Sequence, residues 1–298
     1  MRSWWTAAGW AAGLVADRPA LWLPGALAWT VTVGWLVLVI GVARPPGTAE
    51  LTFLGAGLYT SGAWPWNVLG LGGLLAGLAA LAVLLGALGE AVLLRGRRAS
   101  AGTVGRIAAL TAIVATPVLV ALLLLGIALV AVAPAEFNAP DSGADPLVRT
   151  LGGVLPVVAV VAVLFLAGST LHAAAARPIA AGSGFVAALR TGIGDLRVAA
   201  PAAALHVLVT TTARLGYLAL AATLLRVLWS PIGLQLDVGQ IDAGVVLLLV
   251  GFVAIWLCLV LGGGALHAWG SVTWSRLLGA RLQGPDGPID RMENSPTS

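Results

Sequence analysis

Six stretches of this chain stay predominantly apolar for about twenty residues or more, and no other property narrows its fold as far. A helix of about 20 apolar residues covers the ~30 Å hydrocarbon core of a bilayer, where every backbone amide must find its partner inside the segment. The stretches lie near residues 20–43, 67–94, 107–132, 151–176, 198–225 and 244–269. Unbroken runs such as Leu119 to Val132 exclude a transmembrane β-barrel, whose strands are short and alternate apolar with polar residues. With 9% charged residues and a mean hydropathy of +1.00, little of the chain is left for a water-facing domain. The expected fold is all-α: a polytopic membrane helical bundle, six transmembrane helices as three hairpins, with short interfacial amphipathic helices.

Orientation follows from the arginines, which supply all 16 basic side chains. The absence of lysine reads as codon bias of a GC-rich genome. Arg2, Arg18, Arg95, Arg97, Arg98, Arg106, Arg177, Arg190, Arg197, Arg276, Arg281 and Arg291 fall on one side of the spans. Arg44, Arg149 and Arg226 fall on the other, with Glu50, Glu136, Asp141, Asp145, Asp237 and Asp242. The positive-inside rule then predicts a multi-pass protein of the inner (plasma) membrane with both termini cytoplasmic. Its expected partners are the anionic headgroups of that face and a further membrane protein. Arginines dispersed along membrane boundaries do not describe a nucleic-acid surface.

Residues 1–19 are expected to form an interfacial segment whose Trp4, Trp5 and Trp10 settle at headgroup depth. The first span is longer and begins later than a cleaved signal, so it is expected to stay in place despite Gly41-Val42-Ala43. The six-helix domain covers 20–283, and the Pro- and Gly-containing tail 284–298 is expected to be disordered. Within 181–197 the spacing of Phe185, Ala188, Leu189, Gly192, Ile193 and Leu196 predicts an amphipathic helix, with a weaker one at Thr103 to Arg106. The connection 44–66 has an apolar middle, Leu51 to Tyr59, which either dips into the interface or covers the bundle mouth. Gly73 to Gly77, Ala82 to Gly86 and the run Gly262 to Gly264 predict close helix contacts within the bundle, with homodimerisation as the other use. Cys258 has no second cysteine to pair with.

Three even-numbered spans end alike: Gly86-Ala-Leu-Gly-Glu90-Ala91, Gly168-Ser-Thr-Leu-His172-Ala173 and Gly263-Gly-Ala-Leu-His267-Ala268. If the hairpins share an axis, Glu90, His172 and His267 converge near the cytoplasmic boundary. With His206 they would make a chemically sufficient ligand set for Zn²⁺, although no helix-borne His-Glu-x-x-His spacing is present. The other reading has them hydrogen-bond across helices or reach interfacial water and lipid phosphate. Gly168-Ser169-Thr170 beside His172 is a chance spacing rather than serine chemistry. Phosphate loops, nucleophile elbows and paired intramembrane aspartates are absent, and no cofactor is called for.

Arg214 is the costliest residue, since a charge at the centre of a span costs about 2.5–3.5 kcal/mol on insertion scales. His206, Thr210, Arg214 and Tyr217 share one face of the fifth helix. Either this stripe lines a path for an anion or holds a lipid phosphate, or it is structural, with Arg214 snorkelling or bonding Asn67 and backbone carbonyls. No acidic residue is evident at its depth.

The approach Trp10 to Pro24, the second span ending in Glu90 and Arg95-Gly-Arg-Arg98, and the connection Gly182 to Arg197 resemble a loosely defined group. These are bacterial six-helix proteins related to the membrane domain of glycerophosphoryl diester phosphodiesterases. The resemblance implies a membrane module without the hydrolase, so phosphodiesterase activity does not transfer. The expected function is that of a non-enzymatic bundle organising lipid or a partner membrane protein. The alternatives are a small permease or lipid/anion transporter using the Arg214 stripe, and an intramembrane metalloenzyme.

Overall fold

The structure, a computed structural model, describes residues 4–42, 57, 59–96, 99–138, 146–239 and 242–278. Most of the 44–66 connection, Arg97, Arg98 and the tail 284–298 lie outside the described residues. Helix α1 (Trp4–Asp17) leads into a first span, Pro19–Val42, built as a 3₁₀ turn, α2 (Trp22–Trp29), a π turn (Thr30–Gly34) and α3 (Trp35–Val42). Then follow α4 (Trp66–Arg95), α5 (Ala101–Asn138), α6 (Pro146–Ala180), α7 (Phe185–Val198), α8 (Ala200–Asp237) and α9 (Ala243–Leu278). The described residues contain no strand, and six segments are long and apolar enough to cross a membrane. The chain is a multi-pass, all-α membrane bundle.

Sequential spans pack as neighbours except α6 and α8, α5 with α6 most extensively, and the hairpins do not surround a common axis equally. The first span occupies the middle, with α4, α8 and α9 packed against it. Of its apolar window 39% is buried, against 22% or less for each other span. Close approach is made by small residues. A Cβ on Gly264 would meet the backbone of Ala26 and Trp22, and one on Gly25 the carbonyl of Gly264. Trp29, fully buried, lies across Gly34 and Gly263, each of whose added Cβ would come within 2.5 Å of the ring. The π turn begins right after Trp29, and Thr32 Oγ1 donates toward the carbonyls of Ala28 (3.1 Å) and Trp29 (3.0 Å) beside it.

The glycine run 262–264 therefore makes the predicted contacts, but Gly73 and Gly77 do not. Every residue from 68 to 81 is exposed, and Gly70, Gly72, Gly73 and Gly77 have open space where a Cβ would stand. Only the C-terminal half of α4 enters the bundle, where Gly86 meets Val31 and Gly89 meets Pro24 and Ala28.

Helices run past the apolar stretches where tertiary contacts sustain them. Helix α8 continues through Pro231 to Asp237 because Ile232 is buried in a cluster with Leu225 and Phe252. Arg226 accordingly sits on an exposed helix face rather than in a loop. Thr103 to Arg106 is the first turn of α5, capped by Ser100 Oγ on the Thr103 amide (3.3 Å), and not a separate interfacial helix. Helix α9 reaches Leu278 since Ser271, Val272, Thr273 and Trp274 are buried against neighbouring helices.

The other two expected helices, at the N-terminus and within 181–197, do form, and both dock on the bundle. Ala188 and Gly192 of α7 bury against α6, and Gly192 touches the Ala174–Ala175 backbone. The left-handed Gly182 (φ 106°) turns α6 into α7. Of the α1 tryptophans expected at headgroup depth, only Trp5, 74% exposed, is left free of the bundle. Trp4 is buried, and Trp10 lies under the Arg276 guanidinium, 4.4 Å from its ring centre. The apolar side of α1, with Ala7, Ala11 and Val15, is closed by α9 rather than by lipid.

Candidate functional site

The ionisable side chains of four spans meet around Glu90. Its residue is 7% exposed. Oε2 lies 3.1 Å from His267 Nε2, and Oε1 accepts a 2.8 Å hydrogen bond from Ser271 Oγ. Behind His267, Nδ1 faces Arg214 Nη2 at 3.5 Å. A guanidinium only donates, so Nδ1 is the acceptor, Nε2 carries the proton, and the imidazole relays between Arg214 and Glu90. On the other flank Arg177, also 7% exposed, donates from Nε to Ser275 Oγ (3.1 Å), and its terminal nitrogens reach the carbonyls of Ala173 and Ser271. Two guanidiniums thus stand around one carboxylate, with α9 supplying the histidine and both serines between them.

Helical spacing produces this placement. His267, Ser271 and Ser275 follow one another at four-residue steps on α9. Arg214 packs beside Gly270, its Nη2 at ordinary contact distance, 3.4 Å, from where a Cβ would stand. The stripe His206, Thr210, Arg214, Tyr217 does share one face, turned toward α9. Tyr217 Oη donates to the Leu259 carbonyl (2.6 Å) across Gly262, and Thr210 Oγ1 donates back to the His206 carbonyl (2.6 Å). Arg214 does not use Asn67, which bonds Ser61 (2.7 Å). Glu90 is the acid at its level, reached through His267.

The sequence triplet converges only in part. Glu90 and His267 pair, but His172 Nε2 is 3.0 Å from Thr111 Oγ1, a hydroxyl that bonds the Ile107 carbonyl (2.9 Å). His206 is fully buried beneath the N-terminal helix, where Trp4 Nε1 donates to its Nδ1 (3.2 Å) and the Trp274 ring stands edge-on at 4.7 Å. The set Glu90, His172, His206 and His267 therefore does not form the ligand shell considered for Zn²⁺. Among the described residues no three His, Cys, Asp or Glu side chains are grouped to hold a metal ion. Arg177 and Ser271 were missed because Arg177 reads from sequence as a boundary arginine. The available signal was the Ser271 and Ser275 ladder continuing the face of His267.

Two cavities lie near this end of the bundle. One, about 320 Å³, sits between α1 and the Trp22 and Trp269 rings. The other is a groove of about 660 Å³ between α6 and α8, lined by Leu166, Thr170, Leu196, Ala204, Val207 and Thr211 among others. Trp274 and Leu278 of α9 pack with Ala174 of α6 and Ala203 of α8, which wedges the two helices apart next to it. Neither cavity is lined by a member of the Glu90 cluster.

No protein-family model, curated protein or solved structure matches the chain.

Proposed function

We propose that this protein is a non-enzymatic scaffold of the inner membrane that gathers anionic lipid at its arginine-rich, cytoplasmic end. One observation carries the reading. The charged side chains are bonded across helices to one another and to α9, while the larger ligand-sized space beside them is apolar. Such a cluster fixes four spans in register, and the docked α1 and α7 then present a platform at the headgroup level. The test is extraction of the protein with a disc of surrounding membrane and mass spectrometry of the co-purified lipid. Phosphatidylglycerol enriched over the source membrane is expected; bulk composition in the disc would overturn the reading.

A second reading, transport of a small anion along the Arg214 stripe, draws on one feature: Arg214 Nε is buried without a partner, and Arg214 and Arg177 stand around the one carboxylate of Glu90. Anion flux into proteoliposomes that is lost in Arg214→Gln would favour it.

A further inference from the structure

We propose that the groove between α6 and α8 seats one acyl chain of an anionic phospholipid, whose phosphate is held at the α7 end by Arg197 and Arg190. This rests on the lipid-gathering reading and gives it a site. Three features of the groove point to that occupant.

The first is length. The groove follows α8 from Ala200 to Thr212, about 18 Å at 1.5 Å per residue, close to the ~15 Å of one leaflet. It serves a chain from one leaflet and is no path across the membrane. Its volume, about 660 Å³, falls in the range of ordinary ligand pockets, roughly 300–1,000 Å³.

The second is charge at one end only. Leu196 lines the groove, and its neighbour Arg197 is exposed, as is Arg190 two turns earlier on a similar bearing. Asp195 is the one carboxylate on α7, so the helix keeps a positive excess there. The third is the start of α8. No side chain caps it and Ala200 lines the groove, so the positive end of its dipole, with the amides of Ala200 and Ala202 and none on Pro201, begins at the same mouth. Away from that mouth the lining is aliphatic apart from threonines, which suits a hydrocarbon chain.

The test is native mass spectrometry of the detergent-purified protein titrated with phosphatidylglycerol and, separately, phosphatidylcholine. Ala204 is exposed and lines the groove, so Ala204→Trp fills it without entering the core. Wild type is expected to hold one phosphatidylglycerol at least ten-fold tighter than the rest, and Ala204→Trp to abolish that tightest site. Arg190→Gln/Arg197→Gln should reduce its affinity for phosphatidylglycerol to that for phosphatidylcholine. Should Ala204→Trp not fold, Ala167→Phe closes the groove from α6 and is read in the same way.

A tightest site unchanged within two-fold in a folded groove-filling variant would overturn the proposal and leave the lipid-gathering reading intact. A groove that binds both lipids equally in wild type would overturn the phosphate assignment. Absence of any anionic preference in the membrane discs would instead sink the broader reading.

Discussion

Glu90→Gln isolates the charge that the central cluster depends on. Glutamine keeps the shape and hydrogen-bonding reach of the side chain toward His267 and Ser271, so the main loss is the negative charge. Arg177 and Glu90 are each 7% exposed, and water cannot take over as counter-charge at either. Arg177 reaches Glu90 through Ser271 and Arg214 through His267, and removing one partner of such a buried charge set costs up to the about 3–5 kcal/mol of a direct pair, because the other charges remain buried. Losing one neutral hydrogen bond would cost only about 1 kcal/mol. For a chain of this size the larger figure corresponds to a fall in Tm of roughly 6–20 °C. Thermal unfolding in detergent micelles, followed by far-ultraviolet circular dichroism, reads it directly. The triple variant Glu90→Leu/Arg177→Met/Arg214→Met should recover most of the loss, since well-packed apolar replacements of buried ions are often neutral or stabilising. A Glu90→Gln protein with unchanged Tm would refute the argument. So would a triple variant less stable than Glu90→Gln.

Three further outcomes follow from the packing. Gly264→Leu should prevent assembly of α2 on α9, seen as loss of the monodisperse peak in detergent gel filtration, whereas Gly73→Leu should leave the folded chain within about 0.5 kcal/mol of wild type. Tyr217→Phe, which loses the bond to the Leu259 carbonyl, should cost about 1 kcal/mol in the same thermal assay and leave helicity unchanged. Trp4→Ala should release α1 from its seat over His206, making the segment before Arg18 cleavable by limited proteolysis while the spans stay protected.

The spans could be read from sequence because bilayer solvent imposes a length and composition on each helix separately. Their partners could not. Glu90 meets His267 across 177 residues, and nothing local to either announces the other. Arg177 and Arg214 illustrate the difficulty. Both are bonded into the cluster, yet one read as a boundary arginine and the other as a lone intramembrane charge, because depth depends on where a helix ends. Those ends were set by contacts, such as the burial of Ile232 beyond Pro231 and of Trp274 beyond the last apolar run. Glycine spacing was equally silent. Gly73 and Gly77 match the contact pattern and face open space, while Gly25, outside any such pattern, meets Gly264 backbone to backbone. The shared face of His206, Thr210, Arg214 and Tyr217 was legible because helical period alone decides it.

The docking of α1 also fixes an order of events during synthesis. Its ties lead to His206, 202 residues later than Trp4, and to Trp269, 261 residues later than Ala8. At 5–20 residues per second a ribosome needs roughly 13–50 s to cover the longer interval. Until α8 and finally α9 have been made the central span lacks them, and the faces of Gly25 and Trp29 that meet Gly264 and Gly263 stay open to the membrane. The centre of the bundle is made first and covered last. A chain stalled before α9 would therefore display its innermost surface, the patch by which a membrane quality-control system could recognise it as unfinished.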